Sequence, residues 1–250
     1  MDKNINVSIE HINDDKLIVK PLEDKQNNDT KHEVNECFPQ HETLLWIVAP
    51  TGGGKTTLLQ YLLSVPYNQY FNKVFFFSST MDSPKNDWGK FKLNRERIFD
   101  KYSDNIFSGI LEDIKSDSTQ KNLIIIDDMS STSIFNKQNL LSQFVTNHRH
   151  FNTSIWYVNH MYKGLNKQTR TVIKDLIIFH LNSNIEIKEL ADDNKSYMGY
   201  KDFQKIFSLC TKEPFSFMYI KRECKDRNKM FRCNFNRILN IEYCDDDEND

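Results

Sequence analysis

Nowhere in the 250 residues does an apolar run approach the roughly 20 residues of a membrane span. The opening MDKNINVSIEHINDDK also lacks the apolar stretch of a secretory leader. The expected protein is therefore soluble and intracellular, with no membrane-spanning segment. The five cysteines, at 37, 210, 224, 233 and 244, form no CxxC pair and share no zinc-like spacing with histidine. An odd count also speaks against a closed disulfide set, so reduced thiols in structural roles are expected. A strong basic excess is missing too: the net charge is −2, or +3 once the five acidic side chains of the terminal DDDEND are set aside. Only local patches could then meet nucleic-acid phosphates. There is no internal repeat, and the length holds one full α/β domain with short appendages but no second large domain.

What the chain does have begins at residues 44–59, LLWIVAPTGGGKTTLL. An apolar run breaks at Pro50 and Thr51 into three glycines, then into Lys55, Thr56, Thr57 and a leucine-rich helical pattern. Strand, loop and helix in that order make a phosphate cradle, because glycines let backbone N–H groups approach an anion and the helix dipole faces it. Gly52, Gly53 and Gly54 form the cradle, Lys55 reaches the β and γ phosphates, and the Thr56 hydroxyl ligates Mg2+. Ala49 stands where GxxxxGK[ST] has its first glycine, at the loop entrance and away from the phosphates. An ordinary glycine turn before a helix is the plain alternative, and the flanking strand and helix weigh against it.

Residues 1–38 are polar and read as a loosely attached, partly disordered arm that docks one strand on the body or on a neighbour. Residues 39–242 form the nucleotide-binding domain and 243–250 an acidic tail. After the first helix, which Pro66 stops, KVFFFSST (residues 73–80) is a buried parallel strand and residues 81–92 a surface loop. Residues 105–115 are an amphipathic helix, 123–128 (LIIIDD) a strand, and 137–150 a helix. SIWYV and DLIIFHL are further strands, residues 200–210 a helix, and FSFMYI with MFRCNF a closing hairpin. The fold class is thus α/β, a mostly parallel central sheet flanked by helices with a C-terminal β-hairpin. The phenylalanine-rich strands are read as core rather than as base-stacking platforms.

LIIIDD carries the second decisive feature: two carboxylates at the C-terminal end of a buried strand, where ligands bind in open α/β sheets. Asp127 suits Mg2+, a hard cation that prefers oxygen. Asp128 is the candidate to polarise an attacking water. In SIWYVNH, Asn159 and His160 both qualify as sensors of the γ-phosphate, with ordinary polar strand-end residues as the alternative. Arg149 and Arg170 flank that strand and are candidates for a cation donated to the transition state, against surface or capping arginines. A metal cluster built from His148, His150, Asn159 and His160 is disfavoured, since Mg2+ wants oxygen. The basic set Lys221, Arg222, Lys225, Arg227, Lys229, Arg232 and Arg237 is a solvated hairpin or, alternatively, a contact for DNA phosphates.

Taken together, APTGGGKTTLL, LIIIDDMSS, HRHFNTSIWYVNHMYKGLNKQTR, DLIIFHLNS and PFSFMYIKR with FRCNFNRIL resemble the genome-packaging ATPases of large double-stranded DNA viruses and virophages. These are similar to the FtsK/HerA branch of additional-strand P-loop NTPases, and the resemblance covers roughly residues 42–240. It implies ATP and Mg2+ as cofactors and a sensor strand inserted between the phosphate-loop strand and the LIIIDD strand. It further implies a ring of five or six subunits moving duplex DNA into a preformed capsid, with a capsid vertex or portal protein as partner. The implied location is the viral assembly site in host cytoplasm, or the virion. Carried over by position, Lys55 and Thr56 hold nucleotide and Mg2+, Asp127 holds Mg2+ and Asp128 acts on water. Arg149 or Arg170 is the finger, and His160 takes the sensor place usually held by Gln, beside Asn159. Two other readings stay open. A nucleotide or small-molecule kinase would need an arginine-rich lid, and none precedes Asp127; an assembly protein would bind ATP without turnover. A GTPase is set aside because no NKxD comes after the LIIIDD strand.

Overall fold

INVSIEH alternates Ile5, Val7 and Ile9 with polar neighbours, the period-two signature of a strand covered on one face. It forms β1 (Ile5–His11), the outermost strand of the sheet on its side. The computed structural model describes residues 5–20, 33–80, 93–129 and 139–243. The expected surface loop at 81–92, the acidic tail from 244 on and the first two residues of the expected helix at 137–150 lie outside that set.

The apolar run LLWIV becomes β2 (Leu44–Val48), and the leucine-rich pattern after the glycines becomes α1 (Lys55–Ser64). The next elements are β3 (Lys73–Ser78), the two-residue β4 (Ile98–Phe99), α2 (Asp104–Lys115) and β5 (Asn122–Asp127). They are followed by α3 (Leu140–Val145), β6 (Thr153–Asn159), α4 (Lys167–Val172), β7 (Asp175–Phe179), α5 (Asn184–Asp193) and α6 (Tyr200–Cys210). Finally β8 (Phe217–Lys221), β9 (Phe231–Cys233) and β10 (Arg237–Tyr243) close the chain.

The ten strands of the described residues form one sheet in the order β1-β10-β9-β8-β7-β2-β6-β5-β3-β4. From β7 to β4 every pair is parallel; from β7 outward through β8, β9, β10 and β1 every pair is antiparallel. β6 lies between β2 and β5, as the resemblance implies, with Val48 opposite Asn159 and Asp127 opposite Val158. The C-terminal ends of the loop strand, the inserted strand and the carboxylate strand therefore share one edge of the sheet.

Both faces are covered. On one side Leu45, Ile47, Ile125, Trp156 and Ile177 meet α1, which buries Leu58, Leu59, Tyr61 and Leu62. On the other, Trp46, Val48, Ile124, Tyr157 and Leu176 meet α2, α3, α5 and α6. Helix α2 begins where Ser103 Oγ accepts the N–H of Ile106 at 3.2 Å, and Phe107, Ile110 and Ile114 then fall on one face.

Several elements depart from their sequence reading. Within the described part of the segment before β2, Leu17, Cys37 and Phe38 are buried on the α1 face. Tyr61 Oη donates to the Lys16 carbonyl and Tyr67 Oη to that of Pro39. β1 does dock on the body as one strand, as expected, pairing with β10 over seven residues, Ile5 with Tyr243 through His11 with Arg237. The expected long helix before β6 is shorter. Asn139 Oδ1 caps α3 by accepting Ser142 N–H at 2.8 Å, and a 3-10 turn (His148–Phe151) ending at left-handed Asn152 leads into β6. α5 starts where Ser183 Oγ accepts the Glu186 N–H at 3.4 Å, an S-x-x-E signature whose sparse apolar residues hid it. The expectation of reduced thiols also needs correction. Cys210 at the end of α6 and Cys233 on β9 form a disulfide, with Cα atoms 4.6 Å apart. Their 23-residue separation in sequence concealed an adjacency that only the packing of α6 on β9 creates.

The packed N-terminal segment makes a prediction. Leu17 has no exposed surface, so Leu17→Ala should cost about 2–5 kcal/mol of unfolding free energy in urea titration. A change under about 0.5 kcal/mol would mean the segment is a loose arm after all.

Candidate functional site

The three glycines are each required, for different reasons. Gly52 and Gly54 have φ of +77° and +101°, left-handed conformations that disfavour any side chain. At Gly53 a Cβ would lie 2.9 Å from the Pro50 carbonyl oxygen, which accepts the Gly53 N–H at 2.9 Å. Ala49 is fully buried and continues the strand ladder, its N–H donating to the Asn159 carbonyl at 3.1 Å. The position of the missing first glycine thus still belongs to the sheet. Gly54 is the N-cap of α1 and provides no side-chain cap, so the first-turn N–H groups are available to an anion. Thr51 and Thr57 are exposed, while Pro50 and Thr56 are half-buried.

Lys55 is folded back into this loop, 8% exposed. Its Nζ donates to the Ala49 carbonyl at 2.7 Å, to that of Pro50 at 3.3 Å and to His160 Nδ1 at 3.1 Å. Burial pushes its pKa down, and the charges of Asp128 and Asp127 pull it back up. Because an ammonium can only donate, His160 Nδ1 must accept, which leaves the imidazole proton on Nε2. That Nε2 lies 2.6 Å from Asp128 Oδ1. The contact lacks the alignment of a hydrogen bond, so buried Asp128 Oδ1 retains capacity for another donor.

Asp128 sits just past β5 with φ +55°, a left-handed conformation that aspartate tolerates better than most side chains. Its N–H is held by the Val158 carbonyl at 3.1 Å and its carbonyl by Ser79 Oγ at 3.2 Å, fixing the turn against β6 and β3. Burial raises its pKa, opposed by His160 and then Lys55. Asp127, the last residue of β5, is 7% exposed and accepts a long hydrogen bond from Ser78 Oγ at 3.4 Å. Burial, and then the neighbouring Asp128 charge, push its carboxyl up to about 7. The result is a cluster of one cation, two carboxylates and one imidazole at the shared strand edge.

The structure separates residues that sequence reading left together. His160 joins the cluster, whereas Asn159 is 1% exposed and turned inward, accepting from Trp46 Nε1 at 2.9 Å and packed against Gly164. Neither arginine is brought to the loop. Arg170 is committed to Glu189 at 3.4 Å and Asp193 at 3.2 Å, and lies over the Tyr162 ring at 5.0 Å. Arg149 precedes β6, at the sheet edge opposite the loop, half-exposed and paired with Glu223 at 3.1 Å. In the basic C-terminal set, Arg222 is used internally, donating to the Arg170 and Ile173 carbonyls at 2.7 and 3.3 Å. Arg232 is buried, while Lys225, Arg227 and Lys229 are exposed. His148 is likewise internal, with Nδ1 on the Thr153 carbonyl at 2.6 Å.

Among the described residues no group of three or more His, Cys, Asp or Glu could hold a metal. A cation here would need ligands from a bound anion and water in addition to Thr56 and Asp127, the pattern that suits Mg2+. One residue that the sequence places in a core strand lies elsewhere. Phe75, Phe76 and Phe77 are core, but Phe215 is 70% exposed with φ +61°, and its ring packs beside Gly54. It divides two cavities of about 730 and 660 Å³ that flank the loop. Only an exposed aromatic after Pro214 could have hinted at it, and alternation with Phe217 suggested a strand instead.

The family described as Poxvirus A32 protein matches residues 35–213. No curated protein matches the chain. Among solved structures, the chain resembles B204, the DNA-packaging ATPase of Sulfolobus turreted icosahedral virus. That match has a TM-score of 0.60 at 14% identity, over 77% of this chain and 96% of that one. It also resembles the genome-packaging NTPase B204 of Sulfolobus turreted icosahedral virus 2. The complex with ATP-γS gives a TM-score of 0.58 at 11% identity, and that with AMPPCP 0.59 at 13%, each over 77% and 96% of the two chains. At such identities the likeness is one of fold, and it is the fold just described.

The buried carboxylate makes a pH prediction. A carboxyl raised from 3.8 to about 7 in the folded chain adds stability while it is protonated, fully below about pH 4. That contribution is lost as pH rises through 7. Without Mg2+ or nucleotide, Asp127→Asn should therefore stabilise the protein by about 1–4 kcal/mol at pH 8 and by much less at pH 5. Urea unfolding at the two pH values measures this, and an equal gain at both would contradict it.

Proposed function

The chain belongs to the poxvirus A32 protein family, and from that premise we infer that it is a viral genome-packaging NTPase that hydrolyses ATP to drive double-stranded DNA into a preformed capsid. The observation that carries the reading is the Lys55–His160–Asp128 contact, set where the glycine loop meets the inserted strand and the carboxylate strand. Phosphoryl transfer asks mainly for positioning and for charge placed against the transferring group. This cluster supplies both.

ATP fits the loop because the cradle at Gly53 leaves no room for a Cβ and the first turn of α1 presents uncapped N–H groups. Thr56 and Asp127 would hold Mg2+, which supplies countercharge to the β and γ phosphates when bound. Lys55 swings from the Ala49 and Pro50 carbonyls toward the phosphates, exchanging protein acceptors for stronger anionic ones. His160, thereby released from the ammonium, keeps its Nε2 proton beside Asp128. It reports the presence of the γ-phosphate to the carboxylate that orients water. Asp128 Oδ1, without an aligned donor in the protein, is the acceptor for that water.

The two arginines take different parts. Arg170 braces α4 against α5 through its ion pairs with Glu189 and Asp193. Arg149, half-exposed at the far edge of the sheet, can serve only a neighbouring subunit's nucleotide, in a homo-oligomeric ring of five or six copies. Lys225, Arg227 and Lys229 offer the exposed positive charge for a DNA backbone, read without sequence preference. A capsid vertex or portal protein completes the machine at the viral assembly site in the host cytoplasm. No helix among the described residues is long and apolar enough to cross a membrane.

Steady-state hydrolysis with and without duplex DNA tests this directly. Stimulation by DNA is expected; transfer of phosphate to a small acceptor would point to a kinase instead. Lys55→Ala should abolish turnover, and Asp128→Asn should bind ATP while hydrolysing it at least about a hundredfold more slowly. Mixing Arg149→Ala with Lys55→Ala subunits should restore part of the activity; no rescue would remove Arg149 as the shared group.

A further inference from the structure

We propose that the 660 Å³ cavity on the α1 side of the loop is the nucleoside site, receiving the base and ribose of the nucleotide against Phe215. This rests on the reading that the glycine loop holds the triphosphate.

Direction is set by the sheet. Lys55, Asp127 and Asp128 fix the terminal phosphates over β5 and β6, on one side of β2. The nucleoside end must then leave on the other side, toward β7 and β8. Two cavities lie there, and the loop itself distinguishes them. The larger opens at Pro50 and Gly53, beneath α5 and α6. The smaller opens at Gly54 and Thr57, along the first turn of α1, where the phosphate chain emerges from its cradle.

The walls of the smaller cavity suit a flat, partly polar ring. Ile18, Val19 and Phe215 provide apolar surface, while Asn236 and Arg237 bring polar groups to the rim. A volume of this size, mostly apolar with a few convergent polar groups, is what small-molecule sites share. Phe215 needs an explanation in any case. A phenylalanine 70% exposed and held at φ +61° gains little from packing and carries backbone strain. Its ring lies 3.4 Å from where a Gly54 Cβ would be, so it stands directly at the mouth of the cradle. Stacking on a base would use that exposed face.

Apart from the loop, α1, Phe179 and Glu213, the walls come from outside residues 35–213, the span that matches the family. Ile18 and Val19 belong to the N-terminal segment, and Phe215, Asn236 and Arg237 to the C-terminal strands and their approaches. The nucleoside site is thus built largely by the parts of this chain that the family match leaves unassigned. β1 and β10, paired along their whole length, hold the two walls together.

Displacement of labelled ATP by unlabelled ATP and by inorganic triphosphate, on the full chain with Mg2+, separates the two halves of the ligand. Phe215→Ala should weaken ATP about tenfold and leave triphosphate within about twofold, while Phe215→Tyr keeps ATP near the wild-type value. Ile18→Trp, which fills the cavity from its opposite wall, should likewise weaken ATP selectively. Equal losses for ATP and triphosphate, or no loss for ATP in both variants, would overturn the nucleoside site alone. A wild-type chain that binds neither ligand would overturn the phosphate reading and this site with it.

Discussion

A nearly buried ammonium folded back onto its own loop organises the site. Lys55 is nearly buried, and its three donors meet two carbonyls of its own loop and one imidazole nitrogen. Burial already lowers its affinity for its proton, and two carboxylates whose own pKa values are raised stand close by. Such a cluster is costly in low dielectric unless further charge arrives to complete it. Negative phosphate with a divalent cation is the complement that neutralises all of its members at once. The unsettled electrostatics of the cluster are what support the proposal that a nucleotide binds there.

The rest of the fold serves to hold that cluster in register. β6, inserted between β2 and β5, carries His160 to the same edge as Lys55 and the two aspartates, and its inward neighbour Asn159 locks onto Trp46. With Asn159 anchored, period-two alternation turns His160 to the opposite side, toward the loop. The left-handed Asp128 then brings its carboxylate within 2.6 Å of that ring. Helices on both faces and the strands β8, β9, β10 and β1 extend the same sheet without interrupting this edge.

Much of this was legible in the sequence, and the remainder was hidden for physical reasons. Runs such as LLWIV and LIIID announce buried parallel strands because nothing but apolar surface surrounds them, and GGGKTT fixes the turn and the helix after the first of them. Alternation shows that Asn159 and His160 face opposite ways, but not which face holds the phosphate loop, so the sensor assignment needed coordinates. The role of Arg170 was equally hidden, since its partners Glu189 and Asp193 lie on α5, a helix poor in apolar residues. β1 and β10 pair across more than 220 residues of chain, a contact that local pattern cannot reveal. The same holds for Cys210 and Cys233, brought together only when α6 packs on β9. Phe215 was misread as core because its neighbours are core.

The central claim is that a triphosphate enters between the glycine loop and the paired aspartates and draws Lys55 away from its resting partners. A crystal structure with Mg2+ and a nonhydrolysable ATP analogue tests it most directly. The expected result is β and γ phosphates against the N–H groups of Gly52 through Thr56, with Lys55 Nζ moved from the Ala49 carbonyl and His160 onto the phosphate oxygens. An analogue bound elsewhere, or Lys55 still resting on its own loop beneath a bound triphosphate, would contradict it.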